Sequence, residues 1–195
     1  MTLAKHAAFI LLLFAAGAAG AHEGEGLAGG FATGFMHPLL GPDHLVAMVA
    51  VGLWGAFLGA PALWLLPVVF PLVMAAGGVL GVLGVPLPAV EVGIALSAIG
   101  LGAAVAFALR PPLWLAALLV AVFAVFHGHA HGTELPQAAG PVAYSLGFVV
   151  ATGALHLCGI AFGLLTSRPA GRVAVRALGG VIALLGVFFL ARAAA

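Results

Sequence analysis

The sequence predicts an all-α integral membrane protein: a six-span helical bundle left after cleavage of a signal peptide, with its first span broken at Pro38-Pro42. Three observations carry that expectation. First, 65% of the 195 residues are hydrophobic and 6% are charged, with a mean hydropathy of +1.30, against roughly 25% charged residues in an ordinary soluble domain. Six Lys and Arg with five Asp and Glu cannot cover a soluble globule of this size, so lipid must solvate most of the outer face. Second, the apolar residues fall into six runs separated by Pro, Gly or charge. Third, the arginines are distributed unevenly over the connections.

Residues 1–21 read as a secretory signal: Lys5, the apolar stretch Phe9 to Phe14, then small residues ending Ala19-Gly20-Ala21. Cleavage after Ala21 would leave residues 22–195 as a single transmembrane helical domain with His22 at a periplasmic N-terminus. An α-amine beside an imidazole is a bidentate metal group, although a terminal His is also an ordinary solvated residue. The runs follow at residues 31–59, 62–84, 88–109, 112–131, 138–166 and 171–193. The first and fifth exceed the roughly 20 residues a span needs, and so are expected to be tilted, broken or extended beyond the bilayer. Alternating from an outside N-terminus puts Arg110, Arg168, Arg172 and Arg176 in the cytoplasm and only Arg192 outside, as the positive-inside rule requires. A separate span before Pro38 would reverse this, so that stretch is expected to be a half-helix or re-entrant segment. Small-xxx-small spacings such as Gly77/Gly81, Gly128/Gly132 and Gly159/Gly163 support a compact bundle.

A net charge of +1 with no basic cluster excludes a nucleic-acid partner. The single cysteine, Cys158, excludes a disulfide framework and a Cys-based zinc site. No nucleotide-binding loop is visible, so the chain offers no ATPase partner of its own. Eight histidines outnumber either the acidic or the basic residues. An ionisable group at membrane depth costs roughly 2.5 to 3.5 kcal/mol, so its placement is a functional hypothesis by default.

Three places gather such groups. In His37-Pro38-Leu39-Leu40-Gly41-Pro42-Asp43-His44 two prolines and a glycine must interrupt the helix. Asp43 and His44 then open the next helix, where the positive dipole end suits a carboxylate. Met48 lies one turn on from His44 and adds a soft thioether. Asp43 as a plain N-cap, His44 as an interface residue and Met48 as packing is the blander reading. In Phe126-His127-Gly128-His129-Ala130-His131-Gly132-Thr133-Glu134, His127, His131 and Glu134 share one helical face while His129 points elsewhere. A His-rich periplasmic loop is the alternative. Finally, His156 lies midway along the fifth run, either as a deeper ligand or as a hydrogen-bonded packing residue. Cys158, two positions on, packs away from it. On the expected topology both motifs face the outer leaflet, with His156 further along the path.

These residues resemble the HupE/UreJ family of nickel/cobalt permeases over essentially the whole mature chain. The family pattern HPxxGxDHxxxM is matched by His37, Pro38, Gly41, Asp43, His44 and Met48, and FHGxAHGxE by Phe126, His127, Gly128, Ala130, His131, Gly132 and Glu134. His129 occupies the variable position. The resemblance implies a cleaved signal, six spans and transport rather than catalysis, with Ni²⁺ or Co²⁺ as transported substrate and no prosthetic group. It also implies a multi-pass protein of the bacterial inner membrane supplying a metalloenzyme such as hydrogenase or urease. The metal ligands expected are His22, His37, Asp43, His44, Met48, His127, His131, Glu134 and His156. Two other classes compete: an intramembrane zinc-dependent hydrolase with a metal-bound water, for which no HExxH motif is present, and a b-type cytochrome with paired axial histidines.

Overall fold

The computed structural model describes residues 27–135 and 140–194. They form seven α-helices, and among the described residues there is no strand. In chain order these are α1 (Leu27–Leu40), α2 (Pro42–Leu58), α3 (Ala62–Val82), α4 (Val90–Ala106), α5 (Leu113–Thr133), α6 (Pro141–Gly163) and α7 (Pro169–Ala193). A 3-10 turn, Leu164–Ser167, prolongs α6. The expected signal at residues 1–21, its cleavage after Ala21, and His22 lie outside the described residues.

Four helices are long and apolar enough to cross a bilayer: α3, α5, α6 with its turn, and α7. Helices α1 and α2 pass the same test only as a pair, bent by 80° at the break, which is the form of a broken span or a re-entrant loop. Helix α4 has 17 residues and is about 25 Å long at 1.5 Å per residue, short of the ~30 Å hydrocarbon core. Among the described residues, length and composition thus count four spans, or five with the bent pair as one, where the apolar runs suggest six. The shortfall has a local cause: Ala89 (φ 54°) and Ala108 (φ 57°) are both left-handed and stop the helix at each end of its apolar run.

The break in the first span narrows from Pro38-Pro42 to one residue, Gly41. Pro38 stays inside α1, and Gly34, four residues before it, packs directly on the Tyr144 backbone of α6. A proline is tolerated in a membrane helix where a neighbour covers the disturbed backbone. Pro42 then starts α2 at a position where its missing N–H costs nothing.

Helix α2 is central and is buried all round from Ala50 to Phe57. Around it α3 packs on α5, α4 on α7, and α6 on both α1 and α2. Four of the five described arginines gather at one end, with Arg192 at the other end of α7. Arg110 lies 4.8 Å over the Phe57 ring, Arg176 donates to the Ala106 carbonyl and Arg172 to that of Thr166. His44 sits at the opposite end of α2, so most of the cations and the imidazole cluster are separated along the bundle axis.

The α3/α5 seam depends on glycine. A Cβ at Gly128 would strike the Met74 carbonyl, one at Gly132 the Gly78 carbonyl, and one at Gly77 or Gly81 the backbone of Val125 or His129. This seam holds α5, and with it His127 and His131, against the bundle. Gly128→Ala is therefore expected to cost about 1–3 kcal/mol, read as a lower thermal midpoint in detergent. Gly180→Ala on α7, where a Cβ meets nothing within 4 Å, is expected to leave the midpoint unchanged.

Candidate metal centre

The 80° bend at Gly41 folds the end of α1 back over the start of α2. It brings the rings of His37 and His44 to 6.2 Å between centroids. Both then meet α5. His37 lies 4.8 Å from His131, His44 lies 4.5 Å from His131 and 4.9 Å from His127. Four imidazoles from three helices thus form one connected cluster in the order His37, His131, His44, His127. The two sequence motifs, some ninety residues apart, meet at a single place.

The cluster is graded from exposed to buried. Glu134, the residue that ends α5, has a side chain 55% exposed, and its Oε2 lies 3.7 Å from Nε2 of the partly exposed His37. His131 and His44 are buried, and His127 is fully so. His37, His131 and Glu134 each offer a ligand atom within 4.8 Å of the others. At metal–ligand bonds of about 2.1 Å, two donors on one ion lie at most about 4.2 Å apart, so small side-chain rotations close this triad on a single ion.

The deeper nitrogens are poised differently. Asp43 Oδ1 accepts from the His44 backbone N–H at 2.9 Å and from its Nδ1–H at 2.8 Å, which leaves Nε2 as the free lone pair. That Nε2 is buried without a partner, as are Nδ1 of His127 and both ring nitrogens of His131. Unpaired buried polar atoms are rare in native proteins and call for an explanation. Allowing one N–H on His131, these four offer three lone pairs on neighbouring rings, beside two carboxylates and with no Lys or Arg in the cluster, a chemistry suited to a cation. A largely apolar crevice of about 390 Å³ between α3, α5 and α6 reaches His131.

The remaining sequence candidates are placed elsewhere. Met48 is buried one turn below His44, where its sulfur accepts a hydrogen bond from Thr152 Oγ1 at 3.4 Å. His156 is separated from the cluster by Phe70, whose ring lies 5.4 Å from His127 on one side and 5.5 Å from His156 on the other. Its Nε2 is also buried and unpartnered. His129 faces away and hydrogen-bonds the Val85 carbonyl at 2.7 Å, tying the α3–α4 connection to α5.

Three neighbours of the cluster escaped the sequence reading: Phe148, 4.1 Å from His131; Tyr144, 5.9 Å from His37 with a buried unpartnered hydroxyl; and Ser97 on α4. A faint signal existed for two of them. Tyr144 is the sole tyrosine of the chain, and Ser97 is a lone hydroxyl in the apolar run of residues 88–109.

Comparison with known proteins places the chain in a family. A family model described as HupE / UreJ protein matches residues 10–189. The protein HupE of Rhizobium leguminosarum bv. viciae is 47% identical over 171 residues, covering 87% of this chain and 90% of that protein. No solved structure matches the chain.

Proposed function

Since the chain belongs to the HupE/UreJ family of nickel/cobalt transporters, we propose that it is an inner-membrane permease importing Ni²⁺ or Co²⁺ through the buried histidine cluster, for supply to a metalloenzyme such as hydrogenase or urease. The observation that carries the reading is the convergence of unpartnered imidazole nitrogens from α2 and α5 behind the more exposed His37–Glu134 pair. A hydrated divalent ion would exchange waters first for Glu134, His37 and His131. It would then pass to His44 Nε2 and His127 Nδ1, with His156 beyond Phe70 as a deeper station. Borderline nitrogen donors suit first-row transition ions over Mg²⁺ or Ca²⁺, and selection against the intrinsically tighter Cu²⁺ would rest on geometry. The arginine-rich end, opposite the cluster, supports an orientation with the histidines toward the periplasm.

The test is radiolabelled Ni²⁺ and Co²⁺ uptake into proteoliposomes with and without a pH gradient. Saturable uptake absent from protein-free vesicles is expected. A stoichiometric, tightly held zinc after purification would instead favour the hydrolase reading. Uptake is also expected to depend on external pH. Protons compete for the same lone pairs as the metal, so acidification strong enough to charge the imidazoles lowers the rate. A rate that stays constant down to the pH at which the protein unfolds would show that imidazole ligation does not limit transport.

A further inference from the structure

A hydrogen-bonded chain outside both histidine motifs decides which nitrogen of His127 is free. Ser97, fully buried midway along α4, donates its hydroxyl proton to the Ile94 carbonyl 2.6 Å away. The same Oγ lies 2.9 Å from His127 Nε2. A carbonyl has no proton to give, so the single Ser97 proton is committed to Ile94 and oxygen lone pairs face the imidazole. The complementary imidazole carries its proton on Nε2 and donates it to Ser97. Nδ1 is then a bare lone pair, and it is the His127 nitrogen that is buried without a partner. The opposite tautomer would set two lone pairs against each other at 2.9 Å and bury an N–H with nothing to accept it. Across the cluster, Asp43 frees Nε2 of His44 by the same logic, and the His44 and His127 rings meet at 90° with centroids 4.9 Å apart.

We infer that Ser97 is a positioning residue for metal passage: its hydroxyl, anchored on the Ile94 carbonyl, holds His127 as the Nε2–H tautomer so that Nδ1 receives the ion together with His44 Nε2. The inference rests on the reading of the histidine cluster as the ion's path. It extends the functional set to α4, a helix that contributes no member of either motif.

Two measurements test it separately. Nitrogen NMR of histidine-labelled, metal-free protein in detergent reads the tautomer directly, with His127→Gln identifying the His127 signals. The expected wild-type pattern is a protonated Nε2 and a bare Nδ1 on His127, collapsing to a tautomer mixture in Ser97→Ala. In proteoliposomes Ser97→Ala, still folded but with a midpoint lowered by the lost buried hydrogen bond, is expected to lower Ni²⁺ uptake about tenfold, while Ser97→Thr, which keeps the hydroxyl, restores it. A wild-type His127 protonated on Nδ1, or wild-type uptake by Ser97→Ala, overturns the inference. Absence of uptake by the wild-type protein overturns the transport reading instead, and the NMR arm still decides the tautomer.

Discussion

Replacing His131 by alanine is expected to reduce Ni²⁺ uptake to the background of protein-free vesicles, the largest loss any single change in the cluster should produce. His131 is the ring through which the partly exposed pair reaches the buried one, lying 4.8 Å from His37 and 4.5 Å from His44. Neither of its ring nitrogens has a protein partner. Removing the imidazole therefore leaves no hydrogen-bonding group stranded, and alanine suits the interior of α5. The lost contact with Phe148, 4.1 Å away, costs some packing without breaking the fold. The uptake loss should exceed the roughly 100-fold upper end of what outer-sphere partners contribute. His131→Gln separates ligation from packing: it refills much of the space with a poor metal ligand and should be equally inactive. Thermal midpoints near wild type for both variants, with uptake at background, is the expected result. Wild-type uptake by either variant would remove His131 from the path and leave the exposed and buried halves of the cluster unconnected.

The membrane class, the ionisable residues that the fold brings together and the end of the bundle carrying four of the arginines were all legible in the sequence, because each rests on the cost of placing charge in hydrocarbon. His37, Asp43, His44, His127, His131 and Glu134 are conspicuous wherever the surroundings are Leu, Val, Ala and Gly. Helix length was less legible. The run of residues 88–109 is apolar apart from Glu91 and Ser97, yet α4 spans only Val90–Ala106, since the stops are left-handed alanines. Pro38 misled in the other direction: its ring announces a break, but the close approach of Gly34 to α6 lets α1 run on to Leu40. The residues around the ligands were hidden for a different reason. Ser97 and His127 are thirty positions apart on different helices, and their meeting depends on the register of α4 against α5. Where helices are apolar on every side, sequence periodicity does not say which face turns inward. Phe70, one of thirteen phenylalanines, became visible only once the bundle had closed.

Asp43 supplies the second large effect, and the pattern across three substitutions distinguishes its role. Its spacing beside His44 suggests a metal ligand, but Oδ1 is already engaged by the His44 backbone N–H and by Nδ1–H. A carboxylate used this way fixes the ring and raises the donor strength of the opposite nitrogen. Asp43→Ala is thus expected to lose about 100-fold in uptake, because His44 can turn or adopt the other tautomer and Nε2 is no longer presented. Asp43→Asn keeps a carbonyl oxygen able to accept both bonds while losing the charge. It should therefore retain a tautomer-fixed His44 and an intermediate rate, about tenfold below wild type. Asp43→Glu keeps the charge but moves it by one methylene away from the start of α2, and is expected to resemble alanine in rate. Were Asp43 a direct ligand, charge would matter most, and Glu would outperform Asn. The order Asn above Glu, measured as initial rates at equal protein incorporation, assigns Asp43 to holding His44; the reverse order assigns it to the ion.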